Sequence, residues 1–421
     1  MIIWHSKIFV YFYLLTMDKV KEQLNKYLYG EDLIKALTVL PPYREGLIEI
    51  PDRLTALLDI YKIYIPSSAT LDIYNRLFMA ILNSLEKKAT LLEVGLQNDN
   101  FRAIKGNKRY GIIGGLESFK ITGTAGLGKT STVQRCLDII ADKILVSKKP
   151  YREIIPALFI EAVADGSFKS LLYSILQEID RLLGTNYFVE NNHVTATTDA
   201  LLAAVSNCLI NHCLILVIDE IERVANDSRK GTTLINYLTQ LVNQSNIAVC
   251  FVGNEAANRY FETKEYMSRR TVGISIKKMD YDDYYYNFVR ILFNYQYTLK
   301  KVEFNVEFAR TLYKLSNGIP SMLISLFVET QRNVILSGEE ILTPTAFENT
   351  FKENFATMMP YIKQDKIKVT NKKDVEKVST SLSVPSDNPQ LLYHISRQSG
   401  KDITQFINIL KDNINVEYIK L

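Results

Sequence analysis

Cysteine is scarce in this chain and poorly spaced for metal. The four cysteines are Cys136, Cys208, Cys213 and Cys250, and no pair of them has zinc-site spacing. That excludes a zinc-finger or zinc-ribbon scaffold. The four are expected to be buried thiols of a protein kept in a reducing cytoplasm. Long apolar runs are also few. Residues 1–15 (MIIWHSKIFVYFYLL) form one, but it is shorter than the roughly 20 residues a spanning helix needs. No small-residue cleavage site follows it, and Lys7 is its only early basic residue. Residues 1–16 are therefore expected to be a misassigned start or a disordered leader. Nothing else in the chain is apolar enough to cross a membrane, so no membrane partner is expected. A large charge of one sign is missing too. The formal net charge is +4 with 23% charged residues, too mild by itself to argue for nucleic acid, although a basic stripe on one face could still bind phosphate. No internal repeat is visible.

What the chain does have is length and apolar content. Its 421 residues suit two or three domains, and 47% of them are hydrophobic, ample for a core. Residues 17–110 read as a helical or mixed segment. Helices are expected over 18–28, from Pro51 onward and over 71–87, and a polar, basic loop over 98–109. From there the period changes. Strands are expected at 119–122, 157–162, 214–218, 247–252 and, more weakly, 271–276. Helices between them are expected at 129–143, 167–183, 198–211 and 231–243. Residues 214–218 (LILVI) are a nearly unbroken apolar run, the pattern of a parallel strand buried on both faces. The alternation predicts an α/β fold with a five-stranded parallel sheet between helices, spanning 111–281. Residues 282–360 carry helical patterns only and are expected to form a lid. Residues 361–421 begin with a lysine-rich, proline-containing stretch, read as a basic linker and C-terminal tail.

One motif dominates the chemistry. Gly123, Thr124, Ala125, Gly126, Leu127, Gly128, Lys129 and Thr130 fit G-x-x-x-x-G-K-[ST] in full, with Ser131 next. Glycines let the backbone curl so that several N–H groups face one phosphate, and the following helix N-terminus adds positive potential. A strand before and a helix after make this a phosphate loop for ATP. Lys129 would reach the β- and γ-phosphates and the Thr130 hydroxyl would ligate Mg2+. Asp219 ends the apolar strand and supplies a second Mg2+ oxygen. Glu220, the next residue, could polarise an attacking water. Asn254 follows the fourth strand and could orient that water beside the γ-phosphate. Arg269 and Arg270 precede the fifth strand. In a ring or filament, one of them could reach a neighbour's nucleotide, and the choice between them stays open. Gly318, Ile319, Pro320 and Ser321 lie in the expected lid. For DNA, the candidate basic residues are Arg102, Lys105, Lys108, Arg109, Lys148, Lys149, Arg152 and Lys169. Contacts of that kind are to backbone phosphate and salt-sensitive.

Several stretches resemble a known family, the AAA+ ATPase regulators of bacterial DNA transposition, TnsC and its TniB-like relatives. They are residues 33–42 (LIKALTVLPP), the phosphate loop, 159–187 (FIEAVADGSFKSLLYSILQEIDRLLGTNY), 216–224 (LVIDEIERV), and 315–327 with 343–361. The resemblance covers roughly residues 30–360. It implies an AAA+ P-loop NTPase fold with a helical lid subdomain. It also implies assembly on double-stranded DNA with ATP bound, as a ring or helical filament of copies. The assembly would link a target-selection protein or an RNA-guided complex to transposase subunits, and hydrolysis would reset it. Carried over by position, Lys129, Thr130 and Asp219 hold nucleotide and metal, Glu220 activates water and Asn254 senses the γ-phosphate. Two departures stand out. The family often has threonine where this chain has Asn254, and Ser321 stands where a lid arginine would contact the γ-phosphate. Two further classes stay open beside this one: an AAA+ replication-initiator-like or secretion-linked ATPase, and a non-hydrolysing nucleotide-switch scaffold.

Overall fold

A computed structural model describes residues 19–102, 118–148, 151–162, 167–193, 195–225, 231–245, 247–258, 261 and 272–356. These divide into two compact units. The first holds the described residues within 19–27, 72–124 and 129–276 and carries the sheet; the second holds those within 28–71, 125–128 and 277–356.

Six strands form the sheet: β1 Phe119–Thr122, β2 Leu145–Lys148, β3 Tyr151–Glu161, β4 Cys213–Asp219, β5 Ala248–Gly253 and β6 Val272–Ser275. Their spatial order is β2-β3-β4-β5-β1-β6. Neighbours from β3 to β6 run parallel. All seven residues of β4 and all six of β5 are buried, as strands covered on both faces must be. The five expected parallel strands are present. A sixth is added at the edge, where β2 pairs antiparallel with β3. Four residues with a polar half (LVSK) leave no apolar run to read, and the β3 segment facing them begins with exposed Tyr151. The side-chain amide of Gln23 pairs with this strand in both directions. Its Nε2 donates to the Val146 carbonyl and its Oε1 accepts from the Val146 N–H, each at 2.9 Å. That use of residues 22–25 explains why the helix expected over 18–28 stops after Lys21.

Helices Lys129–Ile140, Phe168–Leu183, Thr198–His212 and Gly231–Ser245 fall where the period placed them. Phe168–Leu183 shows why. Ser167 accepts from the Ser170 N–H at 3.1 Å at its start, and Gly184 takes the left-handed conformation (φ 69°) at its end. Between these caps Leu171, Leu172, Ile175, Leu176 and Ile179 are buried against the sheet core, each worth about 1.5–3 kcal/mol. The third helix is longer than expected. It spans Ser68–Arg102 and passes through the polar stretch read as a loop from residue 98, because no proline interrupts it. All four cysteines are free and buried.

The second unit is helical. Helix Ile50–Ile60 shares one apolar core with Asp283–Phe293, Val306–Ser316, Pro320–Ser337 and Pro344–Asn354, and helix Gly30–Leu37 buries Leu33, Ile34 and Leu37. Arg53, nearly fully buried, fixes this long-range association. Its Nη1 and Nη2 donate to the two Glu340 carboxylate oxygens at 2.7 and 2.8 Å, and Nη1 also donates to the Tyr297 carbonyl at 3.1 Å. Among the described residues no helix is long and apolar enough to cross a membrane.

Lys88 gives this fold a pH signature. It is buried on helix Ser68–Arg102 and donates to the carbonyls of Leu209, at 3.3 Å, and Ile210, in the last turn of helix Thr198–His212. Burial, opposed by Cys213 and aided by Arg152, draws its pKa from 10.5 down to about 8. Between those two values the unfolded chain binds more protons at this site than the folded chain, so wild-type stability gains from Lys88 as pH rises through the window. Lys88→Met removes that gain. The stability of Lys88→Met minus that of wild type should therefore fall above pH 8, by up to about 1.4 kcal/mol per pH unit. Urea unfolding of both proteins at several pH values checks it. A difference independent of pH would contradict the assignment.

Candidate nucleotide-binding site

The site begins where β1 ends. After Thr122 the chain turns through Gly123–Gly128 and enters helix Lys129–Ile140, whose first turn carries no acidic residue to offset its positive end. Gly126 and Gly128 take φ of 82° and 77°, in the left-handed region where a side chain is strained. At Gly126 space is closed as well. A Cβ there would lie 2.3 Å from Ser321 Oγ and 3.0 Å from Ile319 Cγ2. The Ser321 N–H donates to the Gly126 carbonyl at 3.2 Å. Ser321 thus touches the tip of the loop through its backbone.

Lys129 folds back over the loop. Its ammonium donates to the Gly123 carbonyl at 2.8 Å and the Thr124 carbonyl at 3.0 Å. Burial pulls its pKa below the ordinary lysine value, while Glu222, Asp219, Glu220 and Glu255 oppose that shift. Thr130 is joined to the second motif directly. Its hydroxyl donates to Asp219 Oδ2 at 2.5 Å, and Asp219 Oδ1 accepts from the Glu220 N–H at 2.9 Å. Asp219 is buried. A hydroxyl and a carboxylate oxygen in contact at the mouth of a phosphate loop fit Mg2+, which takes few protein ligands and completes its shell with phosphate oxygens and water. Among the described residues no group of three or more His, Cys, Asp or Glu could hold a metal by itself.

Glu220 adopts φ 52°, a left-handed backbone that costs a non-glycine residue about 1–3 kcal/mol. The surrounding chain enforces it. The Ile221 N–H donates to the Val252 carbonyl at 3.1 Å, and the Arg223 N–H to the Glu220 carbonyl at 2.9 Å. Burial lifts the Glu220 pKa above the usual carboxylate value. Arg223 opposes the rise, and Glu161, Asp219 and Glu222 add to it. Asn254 caps its own turn. Its Oδ1 accepts from the Ala256 N–H at 2.8 Å, and its backbone N–H donates to Glu222 Oε2 at 3.1 Å. Gly253 makes this possible, because a Cβ there would lie 2.5 Å from Glu222 Oε2.

The structure thus brings together Thr130, Asp219 and Glu220 through direct contacts, with Lys129 beside Thr130. Asn254 is tied by its backbone N–H to Glu222, two residues after Glu220 in the chain. Other expected site residues are placed less fully. Lys169 donates to the Ala196 carbonyl at 2.9 Å and stands 5.7 Å from the Tyr173 ring centroid, so it is engaged within the fold. Arg152 lies on β3 opposite Ser147 of β2. Arg102 ends the third helix and Lys148 ends β2, but their side chains lie outside the described residues. So do Lys105, Lys108, Arg109, Lys149, Arg269 and Arg270. Sequence reasoning missed Glu161, Glu222 and Arg223. The signal was present in LVIDEIERV, where Arg223 follows Glu220 at the i,i+3 spacing of an ion pair.

Residues 116–261 match the family model of the AAA domain. No curated protein matches the chain in sequence. Solved structures similar to it include the Aeropyrum pernix ORC1 protein in complex with DNA, with 12% identity, TM-score 0.46, and 85% of this chain and 86% of that one covered. Drosophila ORC bound to DNA has 11% identity and TM-score 0.43, with 90% and 89% covered. Domain III of the Thermotoga maritima replication initiation protein DnaA has 13% identity and TM-score 0.35, with 59% and 85% covered. Likeness at this level carries nothing about partners.

Proposed function

We propose that this protein is an AAA+ ATPase that binds ATP with Mg2+ and regulates DNA transposition by assembling on double-stranded DNA. The observation that carries the nucleotide reading is the Thr130–Asp219 contact at the phosphate loop, which joins the two motifs across 89 residues of chain. The match of residues 116–261 to the AAA domain supports it. The transposition reading is supported by the resemblance of residues 159–187 and of the 315–327 and 343–361 segments to the transposition regulators.

In this reading residues 111–281 are the ATPase core, 282–360 the lid and 361–421 a tail that docks on transposase. Lys129 leaves the Gly123 and Thr124 carbonyls for the β- and γ-phosphates. Thr130 and Asp219 hold Mg2+, which when bound neutralises phosphate charge. Glu220 takes the proton of the attacking water, and the burial that lifts its pKa above the usual carboxylate value makes it a stronger base. Asn254 orients that water, and Arg269 or Arg270 of a neighbouring copy stabilises charge on the transferred phosphoryl group. The lid has no arginine at Ser321, which makes a residue from the neighbouring copy the available source of that charge.

Duplex DNA retention in the presence and absence of ATP tests the assembly. Retention should require ATP and should weaken steeply, by tenfold or more, between roughly 50 and 200 mM salt. Equal retention without nucleotide would refute ATP gating, and a flat salt response would refute a phosphate-dominated interface. In the same assay, a transposase, should one be encoded beside this gene, should be retained more strongly on the ATP-assembled complex than on DNA alone.

A further inference from the structure

We propose that Arg223 is a positioning residue for Glu220, anchored in that role by Glu161. The proposal rests on the ATPase reading of the site and adds a residue that reading does not use.

Arg223 is tied at both ends. Toward the sheet, its Nη1 donates to Glu161 Oε1 at 2.8 Å and to the Ala162 carbonyl at 3.4 Å. Toward the site, its Nη2 is paired with the Glu220 carboxylate. Its backbone N–H also donates to the Glu220 carbonyl at 2.9 Å. The backbone that carries the anchor is fixed by the sheet. Glu161 is the last residue of β3 and stands in register with Asp219 of β4, and the Ala162 N–H donates to the Asp219 carbonyl at 2.9 Å. The guanidinium therefore carries the position of the sheet edge, where the metal-binding carboxylate is fixed, to the next carboxylate along the chain. A planar guanidinium that hydrogen-bonds Glu161 on one side and forms an ion pair with Glu220 on the other spans the two carboxylates.

Glu220 needs such a tether. Its backbone is left-handed at the very end of a strand. Its side chain is 38% exposed and would sample several rotamers unaided. Arg223 is 40% and Glu161 60% exposed, so these pairs lie in high dielectric and add little to folding stability. Their geometric effect is what remains. The same short helix, Glu222–Ala225, holds the other candidate catalytic residue as well, since Glu222 accepts the Asn254 N–H. One turn of chain after the acidic pair thus fixes both groups that would flank the attacking water.

The test compares full-length wild type with Arg223→Ala, Arg223→Lys, Glu161→Gln and the double variant Glu161→Gln/Arg223→Ala. kcat and KM for ATP are measured by phosphate release, and Mg-ATP binding is measured by calorimetry. Arg223→Ala should lower kcat by about tenfold, a fraction of the effect of a general base, with KM and the dissociation constant within about twofold of wild type. Arg223→Lys should recover part of the loss. Glu161→Gln should lower kcat by roughly threefold, and the double variant should be no slower than Arg223→Ala, because the two residues act as one unit. Wild-type kcat in Arg223→Ala would overturn the proposal, as would a binding loss that parallels the kcat loss, or additive effects in the double variant. A wild type that binds Mg-ATP without turning it over would overturn the ATPase reading itself, and the proposal with it.

Discussion

Replacing Glu220 by glutamine is expected to slow ATP turnover by roughly 10²–10⁴-fold, the range of a positioned general base, while Mg-ATP affinity stays within about twofold of wild type. The amide keeps the shape of the side chain but cannot take a proton from water. Binding should survive because Thr130 and Asp219, which stand in direct hydrogen bond, are unchanged. Removing one negative charge beside Asp219 also lessens repulsion toward the triphosphate. The Arg223 side chain keeps its Glu161 partner at 2.8 Å, so the local fold should hold. Single-turnover phosphate release with separately measured binding separates the two effects. Turnover within about threefold of wild type would mean that Glu220 is not the base.

Lys129→Ala should act one step earlier and weaken nucleotide binding itself. The ammonium lies over the loop on the Gly123 and Thr124 carbonyls, one residue before the Thr130 hydroxyl that meets Asp219. Charge-assisted hydrogen bonds of lysine to phosphate are each worth about 1.5–3 kcal/mol, so losing them should weaken Mg-ATP affinity on the order of a hundredfold. Loop geometry should persist, because the left-handed conformations belong to Gly126 and Gly128. The variant should accordingly keep its thermal unfolding midpoint without nucleotide and lose the upward shift that ATP gives wild type. It should also lose ATP-dependent retention on duplex DNA. Retention equal to wild type would separate DNA binding from the nucleotide site and contradict the proposed gating.

The parts of this site that were readable from sequence are those set by contiguous residues. The glycine pattern of residues 123–130 specifies its own backbone. The apolar run of β4 specifies a buried strand, so the Asp219–Glu220 pair at its end has a predictable place. Other features depend on pairings between distant segments. β2 is four residues long and owes its existence to β3 and to the Gln23 amide. Helix Ile50–Ile60 joins a core built from residues beyond 277, through contacts such as Arg53–Glu340, 287 residues apart. No periodicity in either segment announces that. The anchoring of Arg223 was hidden for a third reason. Its link to Glu161 requires the β3–β4 register and the left-handed turn at Glu220, and neither is written in the identity of Arg223 itself. The arginine candidates at 269 and 270 lie outside the described residues, so the trans contact stays an expectation carried by chain position.

The central claim is that a triphosphate and Mg2+ occupy the loop between β1 and helix Lys129–Ile140. Calorimetric titration of ATP with Mg2+ into the purified protein tests it most directly. Saturable heat should appear at about one nucleotide per chain, with a dissociation constant in roughly the 1 μM to 1 mM range usual for enzyme substrates, and should fall sharply when EDTA removes the metal. A flat titration at protein concentrations that would reveal such binding would contradict the account.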